Sequence, residues 1–150
     1  MKGLIQRVSE ASVAVGGCTI SSIEHGILLL LGVERADSER EARELCRKLL
    51  TYRIFPDDRG RMNVNVQDAG GSVLVVPQFT LVADTSSGTR PGFSLAADPE
   101  IANALYQRFV ATVRDALGDD RVREGQFGAD MQVSLVNDGP VTFLLEVRSD

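Results

Sequence analysis

The chain has 150 residues, is 43% hydrophobic and 25% charged, and carries a net charge of −5; this is the profile of one packed globular domain, residues 1–150, and not of a disordered or low-complexity chain. With His25 the only histidine and Cys18 and Cys46 the only cysteines, zinc-finger, three-histidine and CxxC chemistry are excluded. The acidic balance argues against a DNA-coating protein or a polybasic membrane binder, and the longest apolar run, residues 27–31, is too short for a membrane span. The cytoplasm is the expected compartment.

Ala11, Val13 and Val15 alternate with Ser12 and Ala14 up to Gly16-Gly17, the pattern of a strand entering a hairpin. Residues 27–33 form a nearly continuous apolar run that fits a buried strand. The period then changes: Ala42, Leu45, Cys46, Leu49 and Leu50 predict a helix, and Ser38 with Glu41 supplies a capping box ahead of it. Pro56-Asp57-Asp58-Arg59-Gly60 predicts a turn, followed by a half-buried strand carrying Met62, Val64 and Val66. Residues 72–76 read as an apolar strand that Pro77 closes to pairing on one side. Residues 84–97 lack periodicity and read as a long, functional loop.

Asp98-Pro99 predicts the start of a second helix, with Asp as N-cap, and Ile101, Ala104, Leu105, Phe109, Val113, Ala116 and Leu117 line its apolar face up to Gly118. Met131, Val133 and Leu135 predict a strand, and Asn137-Asp138-Gly139-Pro140 a turn into a final strand carrying Val141, Phe143, Leu145 and Val147. The expected fold class is α+β: mostly antiparallel sheet, barrel-like or layered, covered by two main helices.

Few residues suit chemistry. His25 reads as a surface turn histidine and Cys46 as a small core hydrophobe; Cys18 follows a glycine pair and reads as a turn thiol. Arg40, Arg43, Arg47, Lys48, Arg53, Arg59 and Arg61 against Glu41, Glu44, Asp57 and Asp58 leave a local balance of +3, which is either a solvated, ion-paired face or an approach for phosphates. Three stretches combine polar groups with glycine or proline. Gln78-Phe79-Thr80 could present a hydroxyl, an amide and turning backbone N–H groups, although no base is visible to activate Thr80. Arg90, in Gly88-Thr89-Arg90-Pro91, could hold a phosphate or carboxylate or simply be a surface arginine. Asn137-Asp138-Gly139-Pro140 would be fully explained as a tight turn.

Together these stretches carry a resemblance. Pro77-Gln78-Phe79-Thr80-Leu81 resembles the SQFTL motif of D-aminoacyl-tRNA deacylases, with proline in place of the serine, and Asn137-Asp138-Gly139-Pro140-Val141-Thr142 is similar to that family's C-terminal Gly-cisPro motif. The likeness extends through Ile5-Gln6-Arg7-Val8, Ala11-Ser12-Val13, Tyr52-Arg53-Ile54-Phe55, Arg61-Met62-Asn63, Arg90-Pro91-Gly92-Phe93 and Phe127-Gly128-Ala129-Asp130-Met131-Gln132-Val133. Gly92 departs from it, serine being common there.

The resemblance implies a homodimeric hydrolase acting on the ester of a D-amino acid, or glycine, with the terminal adenosine of tRNA. It implies no metal or other cofactor, and no DNA or membrane partner. Gln78, Phe79 and Thr80 are its implied catalytic segment. Gly139 and Pro140, entering the partner's pocket and held by Arg7, are implied in chiral selection, and Phe127, Gly128 and Met131 in binding adenosine. It further implies main-chain N–H donors and the substrate's own 2′-hydroxyl in place of a side-chain base, with Thr80 as nucleophile the older alternative. A binding module that recognises a tRNA end without hydrolysing it is the rival from another class.

Overall fold

The computed structural model describes residues 1–150. Its organising element is β1 (Lys2–Val15), which shares one edge with β3 (Gly26–Gly32) along its first half and with β2 (Cys18–Ile23) along its second. Its other edge pairs with the 16-residue β8 (Met131–Glu146) from end to end. All of these pairings are antiparallel. Beyond β3 lie β6 (Ser72–Pro77) and β7 (Val122–Glu124), both joined in parallel. The Ser21 hydroxyl of β2 donates to the Glu124 carbonyl of β7, so the sheet curls until it nearly closes on itself. The short strands β4 (Phe55–Pro56) and β5 (Met62–Val64) form a separate pair. The expected α+β, barrel-like architecture is the one observed.

Side-chain alternation divides the interior in two. Ile27, Leu29, Leu31, Val73 and Val75 face the helices in the larger core, whereas Leu28, Leu74 and Val76 point into the curled sheet with Val8, Ala11, Val13 and Ile23. Strands buried on both faces have no position left for a polar residue, which is why β3 and β6 read as unbroken apolar runs. The two strands start so close together that a Cβ on Gly26 would stand 1.9 Å from the Ser72 carbonyl oxygen; only glycine fits there.

Helix α1 (Glu39–Thr51) begins as its sequence predicts. The Glu41 carboxylate accepts from the Ser38 main-chain N–H at 2.7 Å and its hydroxyl at 2.6 Å, bonds that hold Glu41 below the usual carboxylate range despite its burial. Cys46 lies on the buried face, and burial pushes its thiol up to about 11. Cys18, opening β2, is exposed. Helix α2 (Pro99–Leu117) has Asp98 at the N-cap position, but its carboxylate makes no capping bond; Pro99 fixes the first turn and Gly118, at φ +91°, ends the helix.

Two expectations are corrected. Val66 is fully buried but lies in the turn after β5, which stops at Val64. The C-terminal segment is not a strand pair folded at Asn137-Asp138-Gly139-Pro140: β8 continues past it as one strand with a bulge, because both halves find partners on the same long edge of β1. No helix is long and apolar enough to cross a membrane.

Candidate active site

Pro77 ends β6 without an N–H to offer. The chain turns there: Gln78 N–H donates to the Leu31 carbonyl at 2.8 Å, and residues Phe79–Val82 wind into a single 3₁₀ turn closed by Leu81 N–H to Gln78 O and Ala83 N–H to Thr80 O, each 3.1 Å. The N–H groups of Phe79 and Thr80, first in that turn, donate to nothing within the chain. The Gln78 side-chain amide donates to the Thr80 hydroxyl. An amide is not a base, so this contact orients Thr80 without activating it.

A cleft of about 450 Å³ opens beside this turn, between Gln78 and Phe79 on one wall and Phe127, Gly128 and Met131 on the other. The second wall is built by backbone economy. Gly125 N–H continues the sheet by donating to the Val75 carbonyl at 2.8 Å, Ala129 N–H closes a turn on Gln126 O, and Gly128 takes φ +77° within it. Met131 Sδ accepts from Gln126 N–H at 3.4 Å, which places the thioether under that turn. Ala96, Ala97, Pro99 and Ala102, from the start of α2 and the loop before it, complete the lining with small side chains.

Tyr106 supports this wall and was not singled out in the sequence. It is fully buried on α2, its hydroxyl donates to Val75 O at 2.9 Å, and its ring lies 6.2 Å from that of Phe127. Burial raises the phenol's pKa, so the hydroxyl stays a donor. A tyrosine beside Leu105 on the apolar face of a predicted helix could have been suspected, since a buried phenol needs an acceptor.

Gly139, Pro140 and Arg7 lie elsewhere. Ladder pairs Gln6–Thr142 and Val8–Asn137 leave Asp138, Gly139, Pro140 and Val141 opposite Arg7 alone, so the segment bulges out of β8. The Gly139-Pro140 peptide bond is cis. Asn137 staples the neck of the bulge: its Oδ1 accepts from Val141 N–H at 2.7 Å and its Nδ2 donates to the Thr142 hydroxyl at 2.9 Å. The Arg7 guanidinium donates to the main-chain carbonyls of Asp138 at 2.8 Å and of Ile54 at 2.7 Å, fastening the bulge to the segment after α1.

Arg7 pairs with Ile27, which stands beside Val73 at the start of β6, whereas the cleft lies at that strand's end. That offset is about 10 Å along the strands, with β1 and β3 in between at roughly 4.8 Å per strand. The fold thus gathers Gln78, Phe79, Phe127, Gly128 and Met131 at one cleft, with Thr80 next to it, and does not bring Gly139-Pro140 to the cleft of the same chain. Of the basic stretch, Arg40 is paired with Glu41 and Arg47 with Glu44, as an ion-paired helix face would be.

What the fold and cleft define is a small α+β domain with free main-chain donors at the edge of a mainly apolar cleft. The family model described as D-Tyr-tRNA(Tyr) deacylase matches residues 4–146. The chain belongs to that family, and so to the hydrolases. It is 73% identical over 146 residues to a D-aminoacyl-tRNA deacylase of Marinobacter nauticus, covering 97% of this chain and 94% of the relative, and 59% identical to one of Pectobacterium atrosepticum, covering 97% and 99%. Among solved structures it superposes at a TM-score of 0.95 and 40% identity on one named c-Myc DNA Unwinding Element Binding Protein, covering 99% of this chain and all of that one. A probable eukaryotic D-amino acid tRNA deacylase, at 18% identity, TM-score 0.83 and coverage of 97% and 98%, shares the fold.

Proposed function

We propose that this protein deacylates D-aminoacyl-tRNA, and glycyl-tRNA with it, as a homodimer in which Gly139-Pro140 of each copy enters the cleft of the other. The observation that carries this reading is the pair of unpaired N–H groups at Phe79 and Thr80, set against an apolar slot walled by Phe127, Gly128 and Met131. The slot fits an adenine face, and the donors fit an ester oxygen that becomes an oxyanion. Family membership and the names of the relatives supply the substrate class.

In this reading the terminal adenosine sits in the slot and its aminoacyl ester lies over the 3₁₀ turn. Water adds to the ester carbonyl, the two N–H groups hold the negative oxygen, and the carbon–oxygen bond to the ribose breaks with a proton passing to the leaving oxygen. The substrate's 2′-hydroxyl assists the water. Thr80 is a hydrogen-bonded residue beside the cleft and not a nucleophile, because its hydroxyl's partner is the Gln78 amide, which is no base.

Chirality comes from the partner's bulge. The main-chain carbonyls of Gly139 and Pro140 accept the substrate's ammonium group, and an L side chain would run into them while a D side chain points away. Glycine has no side chain to reject. Arg7 holds the bulge through the Asp138 carbonyl and acts as a positioning residue. Dimerisation is supported by the geometry already described: within one chain the bulge has no cleft to serve, and β8 leaves a free edge beside it. Neither DNA nor a cofactor has a part in this reading, and the cytoplasm, where charged tRNA is used, is its compartment.

Matched D-tyrosyl-tRNA and L-tyrosyl-tRNA test it. Release of tyrosine from the D form with the L form spared is the expected result; tight binding of either without release would make the protein a binding module and end the proposal.

A further inference from the structure

Phe79 and Phe93 remain 63% and 39% exposed, with ring centroids 5.1 Å apart at a 50° tilt. Folding usually withdraws aromatic rings from water, so two rings leaning on each other at the surface form a stacking platform with an open side. The platform is not a loose loop tip. Asp84 and Gly92 exchange both main-chain hydrogen bonds, at 2.7 and 2.9 Å, just before Phe93. Just after it, Ala96 N–H donates to Phe93 O, Arg35 N–H to Leu95 O and Ala97 N–H to Val33 O, at 2.9–3.1 Å. The ring is therefore carried on backbone pinned at both ends.

The same frame carries free positive charge. Arg90 and Arg35 are exposed, and neither guanidinium makes a hydrogen bond or ion pair, whereas Arg40, Arg47, Arg108 and Arg114 each hold a carboxylate. Asp84, the acid nearest Arg90 along the chain, is occupied by Ser86 N–H at 2.9 Å. Two exposed, tilted aromatic rings on the same loop frame as an unpartnered arginine three residues before Phe93 match a nucleotide: a ring for the base, a fork for the phosphate. The platform also continues the cleft, because Phe79 lines the cleft and Ala96 and Ala97, which end the loop, line it too.

We infer that Phe93 and Arg90 hold the nucleotide preceding the terminal adenosine, its base stacked on the Phe93 ring beside Phe79 and its bridging phosphate on the Arg90 guanidinium. The inference rests on the placing of adenosine in the cleft. A substrate amino-acid side chain would also be apolar enough for the rings, but it brings no phosphate to Arg90.

The test compares the D-tyrosyl ester of adenosine with that of the dinucleotide cytidylyl-adenosine. In the wild type the dinucleotide should be hydrolysed with a kcat/KM on the order of tenfold higher, the gain expected of one stacked base. Phe93→Ala should lower the ratio several-fold toward one, Phe93→Tyr should keep it, and Arg90→Ala should cut the ratio for the natural linkage but not for a neutral methylphosphonate linkage. A ratio near one in the wild type, or one untouched by Phe93→Ala, overturns the inference, as does a Phe93→Ala loss shared equally by both esters, which would assign the rings to the amino acid. Failure of the underlying reading looks different: neither ester is hydrolysed, or Phe127→Ala leaves both rates unchanged.

Discussion

β6 is held between parallel neighbours on both edges, and Val73, Leu74, Val75 and Val76 are all but removed from solvent; β8 pairs along one edge only and leaves Leu135, Val136, Phe143 and Leu144 more than a third exposed. Each strand ends or interrupts itself at a proline that matters. Pro77 stops β6 so that, after a last bond from Gln78 N–H to β3, the Phe79 and Thr80 N–H groups turn away from the ladder, and Pro140 sits in a bulge whose neck is closed by Asn137 and whose flank is held by Arg7. The contrast teaches a division of labour. The buried strand fixes the turn after it through neighbours on both edges, while the strand with one free edge carries its bulge outward to the surface.

Changes in the two strands should therefore be felt in different measurements. Leu74→Ala, within β6, should cost about 2–5 kcal/mol of stability in chemical denaturation, with whatever folded protein remains still active. A loss below roughly 1 kcal/mol would show that the inner core is more plastic than its burial indicates. Gly139→Ala, in β8, should do the reverse. A Cβ there would lie 2.5 Å from Val141 Cγ2 and 2.7 Å from Val141 N, on backbone at φ +154°, so the bulge must shift; deacylation should fall about a hundredfold, as a displacement near 1 Å can cause, with a loss of stability of about 1–2 kcal/mol, smaller than that of Leu74→Ala. Equal losses of stability and activity would erase the distinction between the strands.

Two smaller changes sharpen it. Arg7→Lys removes the fork that bridges the carbonyls of Asp138 and Ile54, and should lower kcat by about tenfold and loosen the D-over-L preference, read on the matched tyrosyl-tRNAs. Thr80→Ala, at the mouth of β6, should keep kcat within about tenfold of the wild type, since the backbone donors stay in place. Loss of several powers of ten with the fold intact would make its hydroxyl a nucleophile.

The capping box at Ser38 and Glu41, the proline start of α2 and the apolar runs of β3 and β6 were legible because each is decided within a few residues or by burial on both faces. So was the juxtaposition of Gln78-Phe79 with Phe127, Gly128 and Met131, although only through resemblance: nothing local says that two segments so far apart in sequence share a cleft. Asn137-Asp138-Gly139-Pro140 was misread as a hairpin because its turn chemistry suits a bulge equally well. What decides between them is the length of β1, a partner far away in sequence, offering one edge to both halves of β8. Val66 was placed on a strand by an alternation that happens to continue past the strand's end.

The two cysteines give the molecule a convenient handle. Burial and a thiol held up near 11 keep Cys46 out of reach of alkylating reagents at neutral pH, while Cys18 stands exposed at the hairpin end of β1. A maleimide fluorophore would therefore attach at one defined place without mutagenesis. Because Val15, the partner of Cys18, also faces Met131 across the sheet, that dye would sit at the β8 end that lies beyond the bulge. Donor- and acceptor-labelled chains mixed together would then report association of two copies as energy transfer, in the native sequence and at nanomolar concentrations.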